Sequence, residues 1–260
     1  MSSATGATEA SAARLPVRWQ VASVAEKVRE TATGCTLVLD LPQWTGHRAG
    51  QHVDVRLTAE DGYQAERSYS IASPPEEPRL ALTIERLDDG EVSPYLVDEL
   101  QPGDMLELRG PIGGWFTWQA SDGGPLLLLA GGSGLVPLMA MLRHRAAAGS
   151  NAPARLLVSA RSTDDLLYAK ELGDLASGDD ALDVFTTLTR SQPAGWTGYA
   201  RRVDLPMLRE VAFDAAERPR DFVCGPTAFV EATADILVAL GHEPALVKTE
   251  RFGPSGGAAT

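Results

Sequence analysis

A chain of 260 residues has room for two domains of ordinary size, and 44% apolar against 22% charged residues argues against disorder over most of its length. A formal charge of -12 excludes wholesale binding to nucleic acid or to an anionic membrane, because like charges repel at long range. Two cysteines, Cys35 and Cys224, exclude a disulfide framework and fall short of the four thiolates of an iron-sulfur cluster. That cysteine usage suits the cytoplasm, and the longest apolar runs, such as Leu126 to Ala130, are far too short to cross a bilayer, so a cytoplasmic, soluble protein is expected, and a monomer.

Residues 1–14, rich in Ala, Ser and Thr, have neither a basic start nor an apolar stretch, so they are expected to form a flexible tail and not a secretory signal. Short alternating segments follow: Gln20 to Val28, Cys35 to Leu41, His52 to Leu57, Arg67 to Ser73, Arg79 to Arg86 and Met105 to Arg109. Turn signals such as Asp61-Gly62, Asp89-Gly90 and Pro102-Gly103-Asp104 separate them. That spacing predicts a six-stranded antiparallel barrel over residues 15–121. One helix, Ser93 to Leu100, is expected to interrupt it with Ser93 as its N-cap.

Past Asp122-Gly123-Gly124 strands alternate with helical patterns: Leu126 to Ala130 then Leu135 to Ala148, Arg155 to Ala160 then Asp164 to Ala176, Leu182 to Leu188 then Leu205 to Val211, Phe222 to Cys224 then Ala228 to Leu240, and a last strand, Leu246 to Glu250. This rhythm predicts a five-stranded doubly wound parallel sheet over residues 122–260.

Three stretches could carry chemistry. Arg67-Ser68-Tyr69-Ser70 offers a cation, a flat aromatic and a small hydroxyl on one extended segment, as a flavin needs; on their own these residues read rather as a solvated edge charge and an ordinary barrel aromatic, and only the stretches downstream reverse that. Gly131-Gly132-Ser133-Gly134-Leu135-Val136-Pro137 joins a strand to a helix, where small residues let backbone amides approach a pyrophosphate; Pro137 stands where a dinucleotide fingerprint has its third glycine. The alternative is a turn needed only for tight packing. Cys224-Gly225-Pro226 follows the fourth strand of the second sheet, at the carboxyl end where such folds bind ligands. His47, His52, His144 and His242 show no metal spacing and are read as structural or solvent-facing.

Taken in order, Arg67-x-Tyr69-Ser70, Gly90-x-x-Ser93, Gly110-Pro111-x-Gly113, Gly131-Gly132-x-Gly134-x-x-Pro137, Cys224-Gly225-Pro226 and Glu250-x-Phe252 resemble the ferredoxin-NADP reductase superfamily, from about Trp19 to Pro254. The resemblance implies that Arg67 and Ser93 hold flavin phosphates, that Tyr69 packs on the isoalloxazine and that Ser70 reaches its N5, with Ile71, Gly90 and Val92 beside them. It implies that Gly132, Ser133, Gly134 and Pro137 lie against the pyridine-nucleotide pyrophosphate and that Cys224, Gly225 and Pro226 lie beside the nicotinamide. Glu250 would join Ser70 in a proton network, and Phe252 would cover the other flavin face. In this family the Gly90-x-x-Ser93 segment favours FAD over FMN. Arg161, Arg190 and Arg202 suit a 2'-phosphate, so NADPH is expected, with NADH as the alternative.

Many bacterial relatives continue past Glu-Arg-Phe-Gly-Pro into a fused ferredoxin domain, whereas this chain stops at Thr260. Electrons are therefore expected to leave for a separate ferredoxin or iron-sulfur oxygenase component. Two rival readings stand beside this: a flavin reductase that hands over reduced flavin, and a flavin- or nucleotide-binding regulatory subunit without turnover. Trp115, Phe116 and Trp118 near the domain boundary are expected to pack the interface.

Overall fold

The computed structural model describes residues 18–252. The expected tail and the Gly253-Pro254 end of the last motif lie outside the described residues. The first six strands are β1 (Trp19–Arg29), β2 (Gly34–Asp40), β3 (His52–Thr58), β4 (Gln64–Ser70), β5 (Leu80–Glu85) and β6 (Met105–Ile112); burial alternates along β1, β3 and the start of β6, which turns one face onto a common core, whereas β2 and β5 are buried at most positions. The antiparallel sheet runs in the order β4-β3-β6-β1-β2-β5. A bridge between Ile71 and Leu82 then joins its two ends and closes it into a barrel. Leu37, Val53, Ile71, Leu82, Ile84, Leu96 and Leu108 are fully buried inside it. Each such side chain contributes about 1.5–3 kcal/mol by leaving water.

Two barrel elements differ from expectation. The strand expected over Arg67 to Ser73 runs instead over Gln64–Ser70. The Ala59–Tyr63 turn, closed by bonds of 2.8 and 2.9 Å with Gly62 at a φ of 87°, brings Gln64 directly opposite Thr58. Ladder pairing with β3 ends at Ser70, and Ile71 then turns to β5. The expected helix from Ser93 is present over residues 93–99, but its Tyr95–Glu99 part is wound as a π turn, closed by Leu100 N–H donating to Tyr95 O at 3.0 Å. Ser93 does not cap it. Its Oγ accepts from the Leu87 N–H at 3.0 Å and pins the 87–93 turn instead.

The second sheet is β7 (Leu126–Gly131), β8 (Ala154–Ala160), β9 (Leu182–Leu188), β10 (Arg220–Pro226) and β11 (Val247–Phe252), all parallel, in the order β11-β10-β7-β8-β9. Its central strand β7 is buried at every position, which is why its sequence is an unbroken apolar run rather than an alternating one. Helices α1 (Leu135–Ala147), α2 (Ala169–Gly178), α3 (Leu205–Val211) and α4 (Thr227–Ala239) cover its two faces. The helix expected from Asp164 starts five residues later, because Tyr168 adopts a left-handed φ of 55° and its side chain turns inward with Leu167.

Those two residues meet the barrel. Tyr168 Oη donates to Thr83 Oγ1 at 2.5 Å, Thr83 and Thr36 hydroxyls are 2.7 Å apart, and Thr36 donates to Glu30 Oε1 at 2.6 Å. A carboxylate only accepts, so the protons of this chain all point from the sheet half towards Glu30. Alongside it Arg143 of α1 donates to Ala72 O at 2.6 Å and pairs with Glu171 of α2. His144 Nε2 accepts from Ala120 N–H at 3.2 Å, which puts the ring proton on Nδ1, facing Glu76 Oε1 at 2.7 Å. Phe116 and Trp118 are buried in the same seam as expected, whereas Trp115 is 61% exposed beneath Lys248.

Candidate functional site

In the second sheet the strand order reverses between β7 and β10, and the chain leaves both strands at the same carboxyl edge. That crevice is where open parallel sheets take their ligands. The β7 exit, Gly131 to Gly134, is a short 3-10 turn leading directly into α1, with Pro137 buried in the helix's first turn. A Cβ added at Gly134 would lie 2.1 Å from the carbonyl oxygen of Cys224, so only glycine lets this turn close onto the β10 exit. Gly132 has a φ of 55°, and a Cβ there would meet only Glu85 Oε2 of the barrel, at 3.9 Å. Gly132 therefore presents open backbone at the line where barrel and sheet approach.

β10 and β11 pair in register here, Cys224 with Glu250 and Pro226 with Phe252. Burial pushes the Glu250 carboxyl up to about 7. Burial first, and the Glu250 charge second, push the Cys224 thiol well above its ordinary value. At neutral pH Cys224 is thus a thiol rather than a thiolate, and Glu250 exchanges a proton near pH 7. Phe252 packs half-buried against the core cluster that also contains Cys224 and Phe222. Phe229 of α4, which carried no signal in the sequence, packs 2.8–2.9 Å from where Cβ atoms at Gly131 and Gly225 would stand.

On the barrel, Tyr69 and Ser70 end β4 half-buried, with Tyr69 packed against the barrel core. Burial drives the Tyr69 phenol well above its ordinary range, so it stays protonated. Arg67 is half exposed; its Nη1 donates to Glu66 O at 2.7 Å and its Nη2 to Glu91 Oε2 at 2.5 Å. Gly90 and Ser93 bracket Glu91 in a turn held by the Gly90 N–H to Leu87 O bond of 2.9 Å and by Ser93 Oγ. The side chains of Ile71 and Val92 are wholly inside the barrel core, so only their backbones can face a ligand. The Ile71 N–H already donates to Gln51 O, and Val92 O accepts from Leu96.

A third group lies at the carboxyl ends of β8 and β9. Arg190 N–H donates to Arg161 O at 2.9 Å, which ties the two strand exits together. Arg202 follows Arg201, whose carbonyl accepts from Thr187 Oγ1. Arg161, Arg190 and Arg202 are exposed and make no ion pair with another described residue, whereas Arg201 is taken by Asp204 at 2.6 Å. Of the four histidines, His47 bonds Ser73 O at 2.9 Å and His242 bonds Asp221 at 2.6 Å. Among the described residues there is no cluster of metal-ligating side chains, and no helix is long and apolar enough to cross a membrane.

Two family models match the chain, the oxidoreductase FAD-binding domain over residues 22–117 and the oxidoreductase NAD-binding domain over residues 128–235. The chain is 36% identical to ferredoxin-NADP reductase B of Sorangium cellulosum, over 78% of this chain and 84% of that protein. It is 33% identical to the glycine betaine monooxygenase reductase subunit of Pseudomonas aeruginosa over 89% of its own length, and spans 63% of that relative. Among solved structures, the Amycolatopsis cytochrome P450 reductase superposes with a TM-score of 0.80 at 26% identity, covering 93% of this chain and 72% of that one. With both family models placed on the two sheets that the fold presents, the chain belongs to the ferredoxin-NADP reductase family.

Proposed function

We propose that this chain is an NAD(P)H-dependent flavin oxidoreductase that takes hydride from NADPH onto FAD and passes electrons singly to a separate iron-sulfur protein or oxygenase component. The observation that carries the reading is the crevice itself: the Gly131–Gly134 turn, the Cys224-Gly225 turn and a carboxyl poised near pH 7 share one edge, and the barrel borders it at Glu85. The residues fit both cofactors. A half-exposed arginine stands on β4 for a phosphate, and open glycine backbone stands at the β7 exit for a pyrophosphate.

In this reading residues 15–121 bind FAD, and residues 122–260 bind the nicotinamide nucleotide and cover the flavin. Bound FAD supplies the hydride acceptor and divides the electron pair into single electrons. Arg67 and the Ser93 turn would hold its phosphates, Tyr69 would support the ring, and Ser70 would supply a hydroxyl towards its N5. Gly132 and Gly134 let backbone amides meet the nucleotide pyrophosphate. Cys224 offers a neutral thiol beside the nicotinamide, and Glu250 holds or releases a proton at the same edge. Phe252 would cover the other flavin face and would have to move for the nicotinamide to stack there. The three unpaired arginines support a 2'-phosphate and hence NADPH over NADH.

The two cysteines of this chain are both buried and free, so the electron path must leave these residues; the printed names of the reductase-component relatives support a separate acceptor. We also infer a cytoplasmic setting, which a chain with only two cysteines suits, and a monomer. The test is stopped-flow reduction of the FAD-loaded protein by NADPH with ferricyanide as acceptor. Turnover is expected, and Ser70→Ala should slow flavin reduction by about tenfold or more while leaving bound FAD unchanged. Unaltered reduction in that variant removes Ser70 from the reaction, and a protein that takes up no flavin removes the whole reading.

A further inference from the structure

The Arg67 guanidinium, assigned above to a flavin phosphate, already has an anion on it. Glu91 Oε2 accepts from Arg67 Nη2 at 2.5 Å while Glu91 Oε1 accepts from Tyr63 Oη at 2.8 Å. Arg67 Nη1 is spent on the carbonyl of Glu66 at 2.7 Å. Both ends of the pair are open to solvent, Arg67 at 50% and Glu91 at 49% side-chain exposure, so an incoming ligand can reach them.

We propose that Glu91 is a built-in competitor for the cofactor phosphate, a side chain that sets how tightly FAD is held. A carboxylate presents two oxygens to a guanidinium much as a phosphate does, and the two compete for the same donors. The turn that carries Glu91 is fixed on one side by Gly90 N–H to Leu87 O and on the other by Leu87 N–H to Ser93 Oγ, and Tyr63 clasps its outer oxygen. FAD must therefore displace the carboxylate and then tolerate a second negative charge beside its own phosphates. The arrangement holds the Arg67 guanidinium between Glu66 O and Glu91, at the cost of weaker binding. Tyr63, 57% exposed on the β3–β4 turn, is the catch that holds Glu91 in the competing position.

This inference rests on the phosphate role of Arg67, and the experiment separates the two. Flavin-free protein is titrated with FAD at low salt, following quenching of flavin fluorescence, for the unaltered chain and for Glu91→Gln, Arg67→Ala, Tyr63→Phe and the Arg67→Ala/Glu91→Gln pair. Glu91→Gln keeps the shape and the hydrogen bond to Tyr63 but removes the charge, and FAD should bind about three- to tenfold tighter. Tyr63→Phe should tighten binding about twofold, and Arg67→Ala should weaken it about tenfold or more. On the Arg67→Ala background the gain from Glu91→Gln should shrink, because the competed cation is gone. Equal or weaker binding by Glu91→Gln, with Arg67→Ala still weak, overturns the role of Glu91 alone. If Arg67→Ala binds FAD as the unaltered chain does, the assignment of Arg67 falls and the role of Glu91 falls with it.

Discussion

Replacing Glu250 with glutamine should change how the stability of the flavin-free protein depends on pH. The buried carboxyl titrates near 7 instead of at its ordinary 4.5, because burial disfavours the charged form. At about 1.4 kcal/mol per pH unit, allowing for the part of the side chain that still sees water, the folded state forfeits about 2 to 3 kcal/mol once Glu250 is ionised. The sign follows from the raised value: that stability is fully present below about pH 4.5, declines as pH rises, and is gone above about pH 7. Glutamine does not titrate, and every other group cancels in the comparison of the two proteins. Urea unfolding from pH 4.5 to 8 should therefore show Glu250→Gln gaining on the unaltered protein by about 2 to 3 kcal/mol across the series. A difference that stays flat with pH would mean the carboxyl ionises as freely in the folded protein as in the unfolded chain, and the proton-exchanging role proposed for it would lose its basis.

Removing the Tyr168 hydroxyl with Tyr168→Phe strips the first donor from the Thr83–Thr36–Glu30 chain and should cost about 1–2 kcal/mol of unfolding free energy, read by urea denaturation; no loss would mean the chain does not stabilise the seam. Replacing Arg161 and Arg190 together with alanine should lower kcat/KM for NADPH about tenfold or more while leaving NADH nearly untouched, and equal losses for both nucleotides would remove these arginines from 2'-phosphate recognition.

Much of this architecture is readable from residue pattern because the two halves obey different periods. Alternation in β1 and β3 and the unbroken apolar run of β7 follow from one-sided and two-sided burial, respectively. The Gly131–Gly134 and Cys224-Gly225 turns are legible because a strand leads into each and a helix leaves it. What escapes the pattern is decided by tertiary contact. The helix expected from Asp164 yields to a left-handed Tyr168, whose hydroxyl finds Thr83 far away in the chain. Ser93 resembles an N-cap in sequence, yet its Oγ serves the Leu87 amide. Glu85 beside Gly132, Phe229 against Gly131 and Glu91 on Arg67 could not be anticipated, since nothing in a linear spacing tells which acidic or aromatic side chain a folded barrel will bring across. Trp115 shows the converse, an aromatic near a domain boundary that stays in water.

The polar stitching between barrel and sheet, Tyr168 to Thr83 and Arg143 to Ala72, has a further meaning for turnover. Prising the halves apart would leave the Tyr168 hydroxyl and the Arg143 guanidinium without these acceptors, a cost of about 1–3 kcal/mol each. Strand β11, by contrast, lies at the rim of its sheet with β10 as its one neighbour, and Phe252 ends it. Phe252 thus rides on an edge strand, whose backbone is laddered on one side alone.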